Sequence, residues 1–375
     1  MSIQLFTPTF RVDECLEEIR ECLEKGWTGL GFKTVEFEKK WMEYTGLPNA
    51  HFISSATVGL SLALKVLKME NGWSNDTEVI TTPLTFVSTN HAILYEDLTP
   101  VFADVDQFLC LDPVDVEKKI TPNTRAIMFV GIGGNSGQYH EIVKLCNKYN
   151  LKLILDAAHM AGTRVNGEIP GKEADVAVYS FQAVKNLPTA DSGMICFKEK
   201  SHDDICRKLT WLGINKDTYA RSNDKGAYKW KYDVEYVGYK YHGNSIMASI
   251  GLVQLKYLDA DNAYRRQLAS WYDKNFENHF SKIRPISVAE TCESSRHLYV
   301  IQVDNRDELL LALNESEVYP GVHYRDNTEY SMYSHAKGTC PNSHYLSERI
   351  LSLPMHLRLS KNEIDHISKL IIKYA

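Results

Sequence analysis

A carboxylate at Asp156, a hydroxyl at Ser180 and an amine at Lys185 follow two apolar runs, Leu153 to Leu155 and Val176 to Tyr179. If those runs are neighbouring buried strands, the three groups meet at the carboxyl edge of a sheet, where open α/β sheets bind their ligands. A lysine amine condenses with an aldehyde, a carboxylate pairs with a protonated ring nitrogen, and hydroxyls donate to a phosphate. Pyridoxal 5'-phosphate (PLP) asks for all three. Singly, each residue has a plainer reading: an Asp after a strand often caps a helix, and a Lys in a polar loop is usually solvated. The combination points to chemistry.

The surrounding chain has to place that edge. Strand-like runs at 51–54, 78–81, 100–105, 125–130, 152–155 and 176–179 alternate with helical patterns, which predicts βαβ units and a mostly parallel sheet covered on both faces. The strand at 51–54 feeds a helix through Ser54-Ser55-Ala56-Thr57, a start that offers free amides to a phosphate or simply caps itself. Residues 11–25 carry Val12, Cys15, Leu16, Ile19, Cys22 and Leu23 on one helical face, and Gly26 stops the helix before a Gly-rich loop containing Thr28. Residues 211–245 read as a long connection. One or two long helices follow, then HLYVIQVD as a strand, RDELLLALNES as a helix, GVHYR as a strand and a closing helix. This order predicts a large domain over 1–259 and a smaller α/β domain over 260–375.

At 375 residues two domains are the ordinary expectation. Hydrophobic content of 44% and charged content of 24% are those of a globular protein. A net charge of −6, with no basic block, argues against nucleic acid or a membrane surface as partner. The eight cysteines form no CxxC pair, which predicts buried reduced thiols. No metal site is expected. With neither a signal segment nor a membrane-length apolar run in view, the expected location is cytoplasmic.

Several ordered segments resemble one family: GWTGLGFKTVEFEKKWMEYTG, SSATVGLSLAL, DTEVITTPLTFVSTNHAIL, TPVFADVD, LILDAAHMAGT, SFQAVKNLPTADSGMI, GYKYHGNSIMASIGLVQL, VHYR and SERILSLPMH. The chain is similar over nearly its full length to the fold-type I, PLP-dependent sugar aminotransferases of the DegT/DnrJ/EryC1/StrS family. The resemblance implies a large PLP-binding domain followed by a small one. It implies that Lys185 holds the cofactor and shuttles the proton, Asp156 pairs with the ring nitrogen, His159 lies near the phenolic oxygen and Phe86 stacks on the ring. Ser180 and the amides of Ala56 and Thr57 would bind the phosphate. Lys240 stands where the family usually has an Asn that reaches the neighbouring subunit's phosphate, with Asn244 as a weaker candidate, so a homodimer with shared sites is implied. Thr28 and His323 are candidate sugar contacts.

The branch resembled implies transfer of an amino group from L-glutamate to the C-4 ketone of a nucleotide-linked 4-keto-6-deoxy sugar, in O-antigen or other lipopolysaccharide or glycan synthesis. Alternatives are amination at C-3 or of a cyclitol, and a non-catalytic PLP or sugar-nucleotide sensor. A C-3 dehydratase of the same fold has His in place of the lysine, so Lys185 argues against it. Three segments depart from the family: Gln182 replaces a frequent His, Ala190-Asp191-Ser192-Gly193 replaces Gly-Glu-Gly-Gly, and Gly131-Ile132-Gly133-Gly134 replaces a His-containing turn.

Overall fold

The structure, a computed structural model, describes residues 2–215 and 232–375. Its strands in chain order are β1 (Ala50–Ile53), β2 (Glu78–Thr81), β3 (Thr99–Phe102), β4 (Thr124–Val130), β5 (Lys152–Asp156), β6 (Arg164–Val165), β7 (Val176–Ser180) and β8 (Gly193–Phe197). They continue with β9 (Arg284–Pro285), β10 (Cys292–Glu293), β11 (Tyr299–Gln302) and β12 (Ile350–Leu353). Seven of them form one sheet in the order β1-β8-β7-β5-β4-β2-β3. All neighbours from β7 to β3 are parallel, and β8 runs antiparallel to both β7 and β1. The expected mixed α/β architecture with a large, mostly parallel sheet is therefore the observed one.

Side chains alternate across this sheet. On β5 and β7, Leu153, Leu155, Ala177 and Tyr179 enter one core, with Phe37 and Trp41 of the helix Phe32–Thr45. Ile154, Val176 and Val178 enter the other, with Leu60 and Leu64 of the helix Ala56–Asn71. Burial on both faces is what makes these strands read as continuous apolar runs. Phe37 is fully buried, its ring 5.1 Å from Phe52 and 5.4 Å from Phe181. Phe37→Ala is expected to cost about 3–5 kcal/mol, read from the midpoint shift in chemical denaturation; a loss below about 1 kcal/mol would contradict this packing.

The C-terminal region builds its own three-stranded sheet, β12-β11-β9, antiparallel throughout. The expected strand at GVHYR is absent. That segment is irregular, tied to β12 by a single bridge between Gly321 and Ser352, and the strand of this region is β12, within SERILSLPMH. Four residues of ILSL carry too little alternation to stand out, and β12 is fixed by its pairing with β11 instead. One uninterrupted helix, Ser245–Phe276, serves both parts: Ala248, Leu252 and Leu258 pack in the first core, whereas Leu268, Tyr272 and Phe276 pack with β11, β12 and the closing helix Lys361–Tyr374. A domain division at 259/260 would cut this helix.

The first helix, Val12–Glu24, buries Cys15 and Cys22, but Val12, Leu16 and Leu23 of the expected apolar face are more than half exposed on the single chain. Seven of the eight free cysteines are buried and Cys292 is partly so. Among the described residues no helix is long and apolar enough to cross a membrane. Within the expected connection at 211–245, residues 216–231 lie outside the described residues.

Candidate active site

β5 and β7 lie side by side and parallel, with Asp156 opposite Val178 in register, so Asp156 and Ser180 emerge together at the carboxyl edge. The chain then turns through residues 181–192 before returning as β8. That turn is closed on itself by Phe181 N–H to Ser192 O, Thr189 N–H to Phe181 O and Ala183 N–H to Ala190 O. Lys185 sits in it, with its own N–H donating to Gln182 O at 2.8 Å. Ser180 faces Gly193 across the antiparallel pair. A Cβ on Gly193 would lie 2.7 Å from Tyr179 O and 2.9 Å from the Ala56 nitrogen, so only glycine lets the β7–β8 pair approach the start of the helix Ala56–Asn71. Ser55 caps that helix, accepting from Val58 N–H at 3.4 Å. Ser180 and the first amides of the helix, Ala56 and Thr57, therefore border one cavity of about 420 Å³ with Asp156 and Lys185.

Burial sets the electrostatics. Asp156 is 3% exposed; one carboxylate oxygen accepts from Thr89 Oγ1 at 2.8 Å and the other from Ala158 N–H at 3.1 Å. Loss of hydration holds its carboxyl above the usual range, opposed by those two bonds and the Lys185 charge. Burial brings the Lys185 amine down to about 8, against a weaker upward pull from Asp156. Its ammonium has no hydrogen bond or ion pair to any described residue.

Three histidines surround this lysine, and burial depresses all of them: His159 and His297 well below their usual value, His323 to about 4. His159 Nδ1 accepts from Gly133 N–H at 3.1 Å, so its neutral ring carries the proton on Nε2, 3.2 Å from Tyr324 Oη. The Gly131 to Gly134 turn makes that bond possible. Gly133 has φ +62, and a Cβ on Gly134 would fall 2.3 Å from Ser295 Oγ. This departure from the family thus supports His159 from behind, whereas Gln182 and Asp191 lie on the cavity wall itself.

Phe86 stands at the cavity, 58% exposed, with its ring 6.0 Å from that of Tyr324, and His323 borders the same space with Nδ1 3.0 Å from Ser352 Oγ. Thr28 and Lys240 do not reach the cavity of their own chain. Thr28 is exposed, and its carbonyl accepts from Ser245 N–H; the exposed Lys240 ammonium lies 3.1 Å from the centroid of Trp211. Asn244 caps the helix Ser245–Phe276, accepting from Met247 N–H. Phe6, Thr89, His297 and Tyr324 also belong to the cavity; Thr89, three residues beyond Phe86, and Tyr324, next to His323, lie in family-like segments, whereas nothing near Phe6 and His297 in the sequence marks them.

The sequence pattern of the DegT/DnrJ/EryC1/StrS aminotransferase family matches residues 11–371. The chain belongs to that family. The spore coat polysaccharide biosynthesis protein SpsC of Bacillus subtilis is 34% identical over 366 residues, 94% of this chain and 92% of SpsC. PseC of Helicobacter pylori, an aminotransferase involved in the biosynthesis of pseudoaminic acid, superposes with a TM-score of 0.90 at 26% identity over 100% of this chain and 99% of PseC. Spr1654 of Streptococcus pneumoniae in its PLP-form gives 0.89 at 27% identity over 100% of each chain. This aminotransferase is a PLP-dependent transaminase.

The residues present fit PLP. The aminotransferase offers a half-buried amine without a partner among the described residues, a buried carboxylate at a strand end, an exposed aromatic face and a glycine-permitted cradle of amides and hydroxyls, all on one cavity.

Proposed function

We propose that this enzyme moves an amino group from L-glutamate to the C-4 ketone of a nucleotide-linked 4-keto-6-deoxy sugar, for the amino sugars of an O-antigen or a related lipopolysaccharide or glycan. The observation that carries the reading is Lys185, an amine brought to about 8 by burial, without a partner among the described residues and facing Asp156 across the cavity. SpsC and PseC, both acting in the synthesis of sugar-containing products, support the substrate class.

When bound, PLP supplies an electron sink that lets the donor's α-hydrogen leave as a proton. Lys185 would hold the cofactor and, once free, take that proton on Nζ and return it. An amine that titrates near 8 is neutral in a useful fraction at cellular pH. Asp156, kept from water by Thr89 and the Ala158 amide, would hold the ring nitrogen protonated. His159 would donate from Nε2 to the phenolic oxygen, because Gly133 occupies its other nitrogen. Phe86 would cover the ring, and Ser180 with the Ala56 and Thr57 amides would take the phosphate. Lys240, which lies outside its own cavity, is assigned to the site of a second subunit in a homodimer; the exposed apolar residues of the first helix are consistent with such an assembly. His323 is assigned to the sugar, and Thr28, which lies outside its own chain's cavity, is assigned to the sugar in the site of the second subunit.

Purified enzyme, PLP and L-glutamate incubated with a panel of nucleotide-linked 4-keto and 3-keto sugars and cyclitol ketones test the reading. Release of 2-oxoglutarate together with a C-4 amino sugar is expected. Amination only at C-3 or only of a cyclitol would move the assignment to those substrates, and no release with any ketone would leave the sensor reading.

A further inference from the structure

A second cavity, of about 10 Å³, lies behind the turn that carries Lys185. Residues 6–9, the 184–188 part of that turn, the helix Ser245–Phe276 and residues 355–357 just after β12 bound it. Two side chains on its wall, Arg265 and His356, are each only 6% exposed. Arg265 Nη1 donates to Met355 O at 2.9 Å, but its Nε–H has no acceptor among the described residues. Neither ring nitrogen of His356 has a partner among them in hydrogen-bond geometry. The Gln4 carbonyl draws on that ring, but less than burial and the Arg265 charge oppose it, and His356 is held down at about 4. At neutral pH its ring is therefore uncharged, with one N–H to give.

The charges on this wall do not balance. Beside His356, its ionisable residues are Lys185, Asp261 and Arg265, and both Asp261 oxygens are taken by Arg11, at 2.6 and 2.7 Å. Asp261 lies one helical turn from Arg265 and still attracts it, yet burial prevails and brings the guanidinium down to about 10. Buried cations are ordinarily held by an anion of their own, because an unpaired charge out of water is costly. We propose that this cavity is a binding site for one small monoatomic anion of the halide class, which accepts from Arg265 Nε–H and from the His356 ring N–H. A water molecule could satisfy the same two hydrogens but would leave the guanidinium charge uncompensated. The volume is about that of one water-sized sphere, which suits a single ion rather than an organic acid.

The test uses the PLP-loaded enzyme, dialysed into sodium gluconate and titrated with sodium bromide at constant ionic strength while the melting temperature is followed. Crystals grown without halide are soaked in bromide and measured for anomalous scattering. The melting temperature is expected to rise saturably by about 2 °C or more, and an anomalous peak is expected within hydrogen-bond distance of Arg265 Nε and the His356 ring. Arg265→Met keeps the aliphatic stem and removes the charge and the donor; its melting temperature is expected not to respond to bromide, and its crystals to lack the peak. His356→Phe keeps a packed ring without the N–H and is expected to weaken bromide binding about tenfold; it carries the comparison if Arg265→Met does not fold. A saturable shift that survives unchanged in the folded variants overturns the proposal. So does a soaked crystal in which Arg265 Nε faces only a water without anomalous signal. Neither readout requires turnover, so the outcome is independent of the substrate assigned above.

Discussion

Lys185→Ala is expected to abolish transamination, lowering turnover by about 10⁴-fold or more, and to remove the visible band that covalent attachment of PLP produces. The size follows from the number of tasks that rest on one nitrogen. Among the described residues Lys185 is the only lysine on the cavity wall, and none of their other cavity side chains combines a nucleophilic amine with a pKa near 8. The neighbouring imidazoles titrate much lower: His323 near 4, and His159 and His297 well below the usual histidine value. They are therefore poor bases for a carbon acid. Stability should move the other way, because an ammonium that desolvation draws down to about 8 costs free energy that alanine does not. A variant with a melting temperature at or above wild type and no turnover is the expected pair of results; undiminished turnover would sink the assignment of Lys185.

The second large effect is expected at Asp156. Asp156→Asn keeps the shape and can still accept from Ala158 N–H, while Thr89 Oγ1, which also contacts Thr85 Oγ1 at 2.9 Å, can turn to accept from the new amide. The fold should survive. What is lost is the negative charge that would keep a ring nitrogen protonated in a site with little water, and removing one such preorganised electrostatic partner typically costs about 10²–10³ in kcat. Measured kcat should fall by that range, with the glutamate half-reaction slowed at least as much as the sugar half-reaction. If kcat stays within a factor of about three of wild type, the ring nitrogen is not held by Asp156.

Much of this site was legible in the sequence because it lies at the ends of strands that are buried on both faces. Leu153 to Leu155 and Val176 to Tyr179 are continuous apolar runs, and the polar residue that ends each run stands out. Ser54 to Thr57 was legible for the same reason, as a break between an apolar strand and an apolar helix. His297 was not, because its contribution depends on the C-terminal region folding back over the sheet edge and its surroundings read as ordinary strand sequence; Tyr324 was marked only by the family-like VHYR segment that also holds His323. GVHYR alternates like a strand but is pinned by a single bridge, which leaves it free to lay His323 and Tyr324 across the cavity. The apolar face of the first helix was read correctly as apolar, yet Val12, Leu16 and Leu23 remain exposed on the single chain. Periodicity says which residues share a face; it does not say what covers them.

The helix Ser245–Phe276 has one more consequence. At 1.5 Å per residue its 32 residues make a rod about 48 Å long, and its two halves are embedded in different cores. A rod of that kind transmits torque. Any rocking of the C-terminal layer that opened or narrowed the cavity would have to twist or bend the rod, or strip side chains from one of its two sockets. The cavity that Phe6, His323 and Tyr324 help to line is therefore held to one shape by a rod anchored in both cores.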